Sequence, residues 1–314
     1  MTRKPHASSC FGSELPNQRA GRPSVASPAE SSAHPGRLPH WLRPPVRKAP
    51  HLAGLGQKLS AMGLHTVCQS ACCPNLGECF SRSRAAFMIL GDVCTRRCRF
   101  CAVKHGRPAP LNPEEPRLVA EAARVLGLRH VVVTSVTRDD LPDGGAAQFA
   151  AVIAAVRELL PHSSVEVLVP DFQGSRDALC CVVEAMPDVL NHNVETVPRL
   201  NPTVRPQADY QRSLDLLRQA AEMNSRIITK SGLMVGLGET EEEVVALLRD
   251  LRAAGTQAVT IGQYLQPTRR HLPVVEYLPP EVFSRYEQAA REMGFSRVFS
   301  APLVRSSYHA EELM

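Results

Sequence analysis

Ala-Ala-Phe-Met-Ile-Leu-Gly-Asp-Val-Cys-Thr-Arg-Arg-Cys-Arg-Phe-Cys, at residues 85–101, is the stretch that decides the fold of this 314-residue chain. Residues 85–90 form a short apolar run of the kind that a buried strand needs. Cys94, Cys98 and Cys101 follow it at x3 and x2 spacing. Three thiolates on one short loop can hold a cubane iron-sulfur cluster and leave one iron open to a substrate or cofactor, whereas an electron-transfer cluster is closed by a fourth cysteine.

A second group of cysteines precedes this strand, in Cys-Gln-Ser-Ala-Cys-Cys-Pro-Asn-Leu-Gly-Glu-Cys at residues 68–79. Cys68, Cys73 and Cys79 have x4 and x5 spacing, and we interpret them as ligands of a second cluster that needs a fourth ligand other than cysteine. Structural zinc is the alternative for both groups, but zinc ribbons supply Cys-x2-Cys pairs and four ligands. Because Cys72 adjoins Cys73, the register of this group stays open.

Downstream of residue 116 the apolar pattern alternates between helix and strand, which is typical of an α/β protein. Helical patterns occupy residues 116–127, 145–160, 174–186, 207–224, 240–254 and 280–293, and β-branched apolar runs occupy residues 130–136, 164–169, 189–194, 226–236 and 257–264. With residues 85–90, the pattern predicts about six parallel strands. Such strands can close as a partial barrel or lie open as a doubly wound sheet.

Polar side chains follow the ends of these predicted strands, where parallel α/β proteins bind their ligands. The candidates for cofactor contacts are Thr134, Ser135, Arg138 and Asp139 after the second strand, and Asn193 and Glu195 after the fourth. Solvated loops and salt bridges are the alternative interpretation of all six.

The composition argues against nucleic-acid and membrane partners. No uninterrupted apolar run is long enough to span a bilayer. The net charge of +5 belongs to residues 1–50, which carry eight Lys and Arg against two acidic residues. Aromatic residues make up only 5% of the chain and are not interleaved with basic ones, so we expect no nucleic-acid partner.

The cysteines indicate a reducing compartment, because they are grouped at metal-ligand spacing in a large chain. We therefore expect a cytoplasmic protein. Residues 1–36 mix Ser, Pro, Arg, Gly and Ala without apolar periodicity, and we expect this tail to be disordered. A transit peptide for the mitochondrial matrix is the alternative, although its prolines disfavour the required amphipathic helix. Cys180 and Cys181 lie in a helical pattern and are interpreted as core residues.

At this point the motifs resemble a known family. The strand followed by Cys-x3-Cys-x2-Cys resembles the radical S-adenosylmethionine (SAM) superfamily, and the upstream x4, x5 group resembles that of lipoyl synthases. The similarity extends over about residues 38–312, through Ser135-Val-Thr-Arg-Asp-Asp-Leu-Pro-Asp-Gly-Gly, His192-Asn-Val-Glu-Thr-Val, Thr229-Lys-Ser-Gly-Leu-Met-Val-Gly-Leu-Gly-Glu-Thr and Arg305-Ser-Ser-Tyr-His-Ala.

The resemblance implies a fold and two 4Fe-4S clusters with different roles. The fold is a partial (β/α)6 TIM-type barrel with an N-terminal cluster-binding extension and a C-terminal tail that folds over the barrel mouth. Cys94, Cys98 and Cys101 would hold the cluster that binds and cleaves SAM. Cys68, Cys73 and Cys79 would hold an auxiliary cluster that is consumed as sulfur donor. Its fourth ligand would be Ser307, with Ser306 as the fallback.

The resemblance also implies a reaction, partners and a division of the chain. Sulfur would be inserted at carbons six and eight of an octanoyl chain on a lysine of a lipoyl carrier domain. The carriers would be the 2-oxoacid dehydrogenase acyltransferase subunit and the glycine cleavage carrier protein, and the electron donor a ferredoxin or flavodoxin. The predicted segments are the tail (1–36), an arm with the auxiliary site (37–83), the barrel (84–278) and a C-terminal extension with the serine motif (279–314).

Overall fold

The computed structural model describes residues 38–43, 51–82 and 84–313. The N-terminal tail at residues 1–36 lies outside the described residues, so its predicted disorder stays a prediction. The described residues belong to one compact unit. The predicted boundaries at 83/84 and 278/279 likewise stay predictions.

Seven parallel strands form the central sheet and are arranged in the order of the chain. A two-residue strand, His65–Thr66, pairs antiparallel with the first of them. Sequential order is that of a (β/α) barrel, whereas a doubly wound sheet reverses its order at a switch point. Within the described residues the first and last strands do not pair, so the predicted partial barrel is confirmed. The seven are β1 (Ala86–Ile89), β2 (His130–Ser135), β3 (Ser164–Leu168), β4 (Val189–Asn191), β5 (Ile228–Val235), β6 (Ala258–Gln263) and β7 (Arg297–Ser300).

Six helices connect these strands and bury one face each. Helix α5 is an example. A capping box between Thr240 and Glu243 stabilises its first turn, and its buried leucines and valine recur at helical spacing, so they lie on one face. All six predicted helical patterns correspond to helices: α1 (Glu115–Val125), α2 (Ala146–Leu159), α3 (Arg176–Glu184), α4 (Tyr210–Met223), α5 (Glu241–Ala253) and α6 (Pro280–Glu292).

Short elements complete the fold around the barrel. Among the helices of the described residues, none has both the length and the apolar character to cross a membrane. The short elements are the helices His51–Ala61, Val67–Ser70, Leu76–Ser81 and Asn201–Val204, the 3-10 turns His40–Leu42, Phe172–Gly174 and Ala310–Leu313, and the paired strands Val93–Cys94 and Lys104–His105.

The sequence pattern misses one parallel strand, β7. Its four residues, Arg-Val-Phe-Ser, contain only two apolar side chains, too few to show a strand period. Pairing with β6 holds it in place. The count of about six strands was therefore one short.

The C-terminal tail crosses the carboxyl ends of the strands. The N–H of Gln263 donates to the carbonyl of Pro302 over 3.1 Å, and the side-chain amide of Asn75 donates to the carbonyl of Leu303 over 2.7 Å. The tail therefore bridges the end of β6 and the N-terminal cysteine segment, in agreement with the expected fold over the barrel mouth.

Candidate functional site

The loop after β1 carries the first group of thiols and is held by its neighbours. The N–H of Thr95 donates to the carbonyl of Thr137 over 3.0 Å, and the N–H of Arg99 donates to that of Val204 over 2.9 Å. The Sγ atom of Cys94 accepts from the N–H groups of Arg96, at 3.4 Å, and Thr137, at 3.3 Å. Such bonds favour negative charge on sulfur, as a metal-bound thiolate requires.

Two of the side chains that were predicted to contact a cofactor form salt bridges with other residues of the protein. Asp139 accepts two hydrogen bonds from Arg96, at 2.7 and 2.9 Å. Arg138 pairs with Asp140 at 2.9 Å and donates to the carbonyl of Leu90 at 3.2 Å. The structure thus places both side chains in salt bridges, and the pair of Asp139 with Arg96 ties the cysteine loop to the segment after β2. Their assignment as cofactor contacts stays a prediction.

The second group of thiols surrounds a small cavity. Cys68, Cys73 and Cys79 line it, on the short helices Val67–Ser70 and Leu76–Ser81 and the turn between them. Burial raises the pKa of Cys68 to about 11 and that of Cys79 to about 12, and charge on neighbouring thiols adds to both shifts. Three thiols that repel one another's charge would each gain from a shared cation, so a metal group fits this donor set.

Ser307 lies with this group of thiols. It lines the cavity of Cys68, Cys73 and Cys79, and Ser306 does not. The hydroxyl of Ser306 instead accepts a 2.7 Å hydrogen bond from the side-chain amide of Asn193. The two serines of the tail therefore have different neighbours.

Cys72 does not line the cavity of the second group. It is exposed, and its φ of 52° turns the chain between Ala71 and Cys73. The remaining cysteine pair, on α3, is likewise free of disulfides and half-buried, so Cys180 and Cys181 are less buried than expected of core residues.

A larger chamber of about 540 Å³ is lined by thiols of both groups, although Cys79 lines only the small cavity. This volume lies within the range of about 300–1,000 Å³ that is usual for small-molecule sites. Four of the predicted cofactor contacts line the chamber, together with apolar side chains such as Met88, Leu168 and Leu233; these four are Thr134, Ser135, Asn193 and Glu195. The thiols on its wall are Cys68, Cys72, Cys73, Cys94, Cys98 and Cys101, and both Ser306 and Ser307 line it as well.

Buried polar atoms in the chamber lack partners among the described residues. They include Oγ of Ser135 and Oδ1 of Asn193. Because a buried polar group without a hydrogen bond is costly, such atoms indicate a polar ligand. A cofactor with hydroxyl, amino and carboxylate groups, such as SAM, would satisfy them.

Glu195 has an uncommon backbone conformation for its residue type. Its φ is 66°, and a single bridge to Leu233 holds the backbone there. Burial raises the pKa of its carboxyl, although the charge of Arg205 opposes the shift. Conformations of this kind cluster at ligand sites.

Arginines that the sequence interpretation did not select also shape the site. Arg205 donates to the carbonyls of Asn193 and Val194 at 3.1 and 2.9 Å, and it lines the chamber. Arg305 lines both cavities. The Arg-Ser-Ser-Tyr motif is the signal that could have pointed to Arg305, whereas Arg205 lies in a segment without a recognisable pattern.

Comparison with known proteins gives a consistent picture. Residues 88–251 match the model of the radical SAM superfamily. The chain is 60% identical to a lipoyl synthase of Caldanaerobacter subterraneus over 275 residues, which cover 88% of this chain and 96% of the relative. It is 54% identical to a lipoyl synthase of Rubrobacter xylanophilus, with 93% and 91% of the two chains covered.

A solved structure supports the fold at much lower sequence identity. The crystal structure of Streptococcus suis SuiB bound to S-adenosylmethionine is similar to this chain with a TM-score of 0.52 at 11% identity. The match covers 72% of this chain and 53% of SuiB. At this identity the similarity concerns the fold alone.

Proposed function

The chain belongs to the lipoyl synthase family of the radical SAM superfamily, and from this premise we propose which of its residues carry out radical sulfur insertion. The enzyme is a sulfurtransferase that uses 4Fe-4S clusters and SAM. The observation that carries the assignment is the chamber, because all three thiols of the first group line it together with Cys68, Cys73 and Ser307.

Cys94, Cys98 and Cys101 are proposed to hold the cluster that binds SAM. The N–H groups that donate to Cys94 Sγ support this assignment, and so does the position of all three cysteines on the chamber wall. Arg96, within the loop, forms a salt bridge with Asp139 in the segment that follows β2, and this pair holds the loop in place. Contacts with neighbouring segments therefore hold the loop that carries the three thiols.

Ser135, Asn193 and Glu195 are proposed to contact SAM. When bound, SAM and its cluster supply a 5′-deoxyadenosyl radical that removes hydrogen from unactivated carbon, and the auxiliary cluster supplies the sulfur. The buried Oγ of Ser135 and Oδ1 of Asn193 are free to bind the polar groups of SAM. Thr134 also lines the chamber, but its hydroxyl already donates to the carbonyl of Leu168 at 3.1 Å.

Cys68, Cys73, Cys79 and Ser307 are proposed as the four ligands of the auxiliary cluster. Their common cavity supports this set. A hydroxyl oxygen is a harder and weaker ligand for iron than a thiolate, so the iron at Ser307 would be the easiest to release. Release at that corner would expose a sulfide to the substrate.

The substrate is an octanoyl chain on a lysine of a lipoyl carrier domain, which receives sulfur at carbons six and eight. Apolar chamber residues such as Met88, Leu168 and Leu233 suit the alkyl chain, since its burial is favourable by about 0.8 kcal/mol per CH₂ group. We propose the 2-oxoacid dehydrogenase acyltransferase subunit and the glycine cleavage carrier protein as carriers, and ferredoxin or flavodoxin as electron donor. Free thiols suit the reducing cytoplasm that we propose as its location.

The test compares Ser307→Ala with Ser306→Ala after anaerobic reconstitution. Wild type should hold about eight irons per chain. With SAM, a reductant and an octanoyl-lysine peptide, it should form 5′-deoxyadenosine and a doubly thiolated product. Ser307→Ala should still form 5′-deoxyadenosine but no thiolated product.

Ser306→Ala is the matched control, because it removes the neighbouring hydroxyl without touching the proposed ligand set. It should retain thiolated product. If Ser306→Ala abolishes sulfur insertion and Ser307→Ala does not, the ligand assignment is wrong. Wild type that binds about four irons, or that cleaves SAM without transferring sulfur, would contradict the two-cluster mechanism.

A further inference from the structure

We infer that Lys230 is a positioning residue that sets the orientation of Ser307 at the auxiliary site. This inference rests on the proposed function. Lys230 lies on β5 with only 1% of its surface exposed. Its Nζ donates to Oε1 of Glu166 over 2.8 Å and to the main-chain carbonyl of Ser306 over 2.6 Å.

A buried lysine on a barrel strand must be compensated by specific partners, because transferring an ammonium group out of water is costly in free energy. Glu166, on β3, is also fully buried and compensates the charge. Burial alone would raise the pKa of Glu166, but the charge of Lys230 together with His130 reverses the effect and leaves that pKa below its usual value. Glu166 therefore faces Lys230 as a carboxylate.

The contact with Ser306 acts on Ser307 through the peptide bond. The carbonyl of Ser306 and the N–H of Ser307 belong to one rigid peptide plane. Lys230 holds the oxygen of that plane, while the side-chain amide of Asn193 holds the hydroxyl of Ser306 at 2.7 Å. The Lys230 contact fixes the peptide plane that continues into Ser307, whereas Asn193 holds only the side chain of Ser306. Ser307 in turn lines the cavity of the second thiol group.

Other contacts anchor the tail on both sides of this peptide. Leu303 is held by Asn75 at 2.7 Å, and the hydroxyl of Tyr308 donates to Glu78 at 3.3 Å. Loss of the Lys230 contact should therefore leave the tail in place and loosen only the peptide between Ser306 and Ser307. The expected defect is confined to the auxiliary site.

The test uses the double variant Glu166→Gln/Lys230→Met in the reconstituted enzyme. Lys230→Met alone would leave a buried, uncompensated carboxylate that threatens folding, and the double variant avoids this. Glu166→Gln alone is the matched control, since it removes the same carboxylate but keeps the donor to the Ser306 carbonyl. It leaves the buried Lys230 ammonium without its carboxylate, so gel filtration and circular dichroism must first show that this variant folds. Glu166 does not line either cavity of the site.

The first measurement is hydrogen-deuterium exchange. Peptides that contain residues 303–309 should exchange about tenfold faster in the double variant than in Glu166→Gln, which corresponds to one lost buried hydrogen bond. Strand peptides at 130–135 and 258–263 should exchange alike in both variants. Equal acceleration of all these peptides would show a general structural role and overturn the inference.

The second measurement separates the two clusters. The double variant should form 5′-deoxyadenosine like the control, but its thiolated product per 5′-deoxyadenosine should fall by about tenfold, and the Mössbauer signature of the auxiliary cluster should change. If both quantities match those of Glu166→Gln, Lys230 has no positioning role. Failure of the proposed function would appear separately, as wild type without thiolated product.

Discussion

The guanidinium of Arg96 donates a 2.6 Å hydrogen bond to the carboxylate of Asp171, and both side chains are buried. Arg96 lies between the first two cysteines of the loop after β1, whereas Asp171 follows β3. Burial by itself would raise the pKa of Asp171, but hydrogen bonding to Arg96 and its charge lower it to about 2. The cysteine loop is thus fastened to the sheet by an ionised pair.

Arg96→Met should destabilise the protein strongly. Without Arg96 the buried Asp171 keeps only its 3.3 Å pair with Arg212, and the loss of one partner of a buried ion pair costs about 3–5 kcal/mol when nothing compensates it. Asp139 would lose its two hydrogen bonds at the same time. Anaerobic urea unfolding measures the free energy, and iron content after gel filtration reports whether the loop still retains its cluster.

Arg97→Met is the matched control for this change, because Arg97 is the next residue and is exposed. Surface substitutions of this kind change the free energy of unfolding by about 0.5 kcal/mol or less. Equal losses in the two variants would mean that the Arg96 pairs do not stabilise the loop.

Cys73→Ser and Cys72→Ser should differ sharply in iron content. Cys73 lines the cavity with Cys68 and Cys79, whereas Cys72 is exposed outside it. Reconstituted Cys73→Ser should therefore fall from about eight irons per chain toward four, while Cys72→Ser keeps about eight. Iron and sulfide analysis decides between them, and the opposite result would shift the register of the auxiliary ligands by one residue.

Gly262→Ala should disturb the tail at the auxiliary site. An added Cβ on Gly262 would collide with the main-chain carbonyl of Val304, and a backbone atom cannot move aside cheaply. The displaced tail should carry Ser307 away from its cavity, so the expected result is loss of thiolated product with 5′-deoxyadenosine formation retained. Both products can be measured by mass spectrometry in a single reaction.

Gly127→Ala serves as the control for a glycine substitution remote from the tail. A Cβ there meets open space, and the φ of 63° is the only obstacle. This should cost about 1–2 kcal/mol of stability and leave the ratio of the two products unchanged. A wild-type ratio in Gly262→Ala would mean that the tail tolerates displacement.

The sequence predicted the barrel because its strands and helices are periodic and local. Six strands and six helices are found where alternating apolar patterns predicted them. Strand β7 was not predicted, because its four residues are too few to show the alternating pattern of a strand. Its position depends on pairing with β6. A contact between distant segments leaves no local signal.

The same limit applies to the site. The cysteine groups were visible from their spacing, and the chamber brings them together. The partners of Arg138 and Asp139 were not predictable, because only the three-dimensional structure shows that Asp139 pairs with Arg96 and Arg138 with Asp140. Lys230 was ambiguous in the sequence for the same reason, since its partner Glu166 lies 64 residues away.

His192 should give the protein a pH dependence near neutrality. It is buried, and burial, with the charges of Arg205 and Arg96, lowers its pKa to about 4, although Asp171 opposes this. In the unfolded chain its pKa would be about 6.5. As the pH falls below about 6.5, the unfolded state therefore takes up a proton that the folded state does not, and stability declines until about pH 4.

His192→Gln should remove this part of the pH dependence. Between pH 7.0 and 5.5 the wild type should lose about 1 kcal/mol more stability than the variant, as measured by anaerobic urea unfolding. Cluster loss in acid affects all variants and cancels in the comparison. His162→Gln, at an exposed position, should keep the wild-type dependence; if His192→Gln keeps it too, the buried imidazole is not the group that destabilises the protein in mild acid.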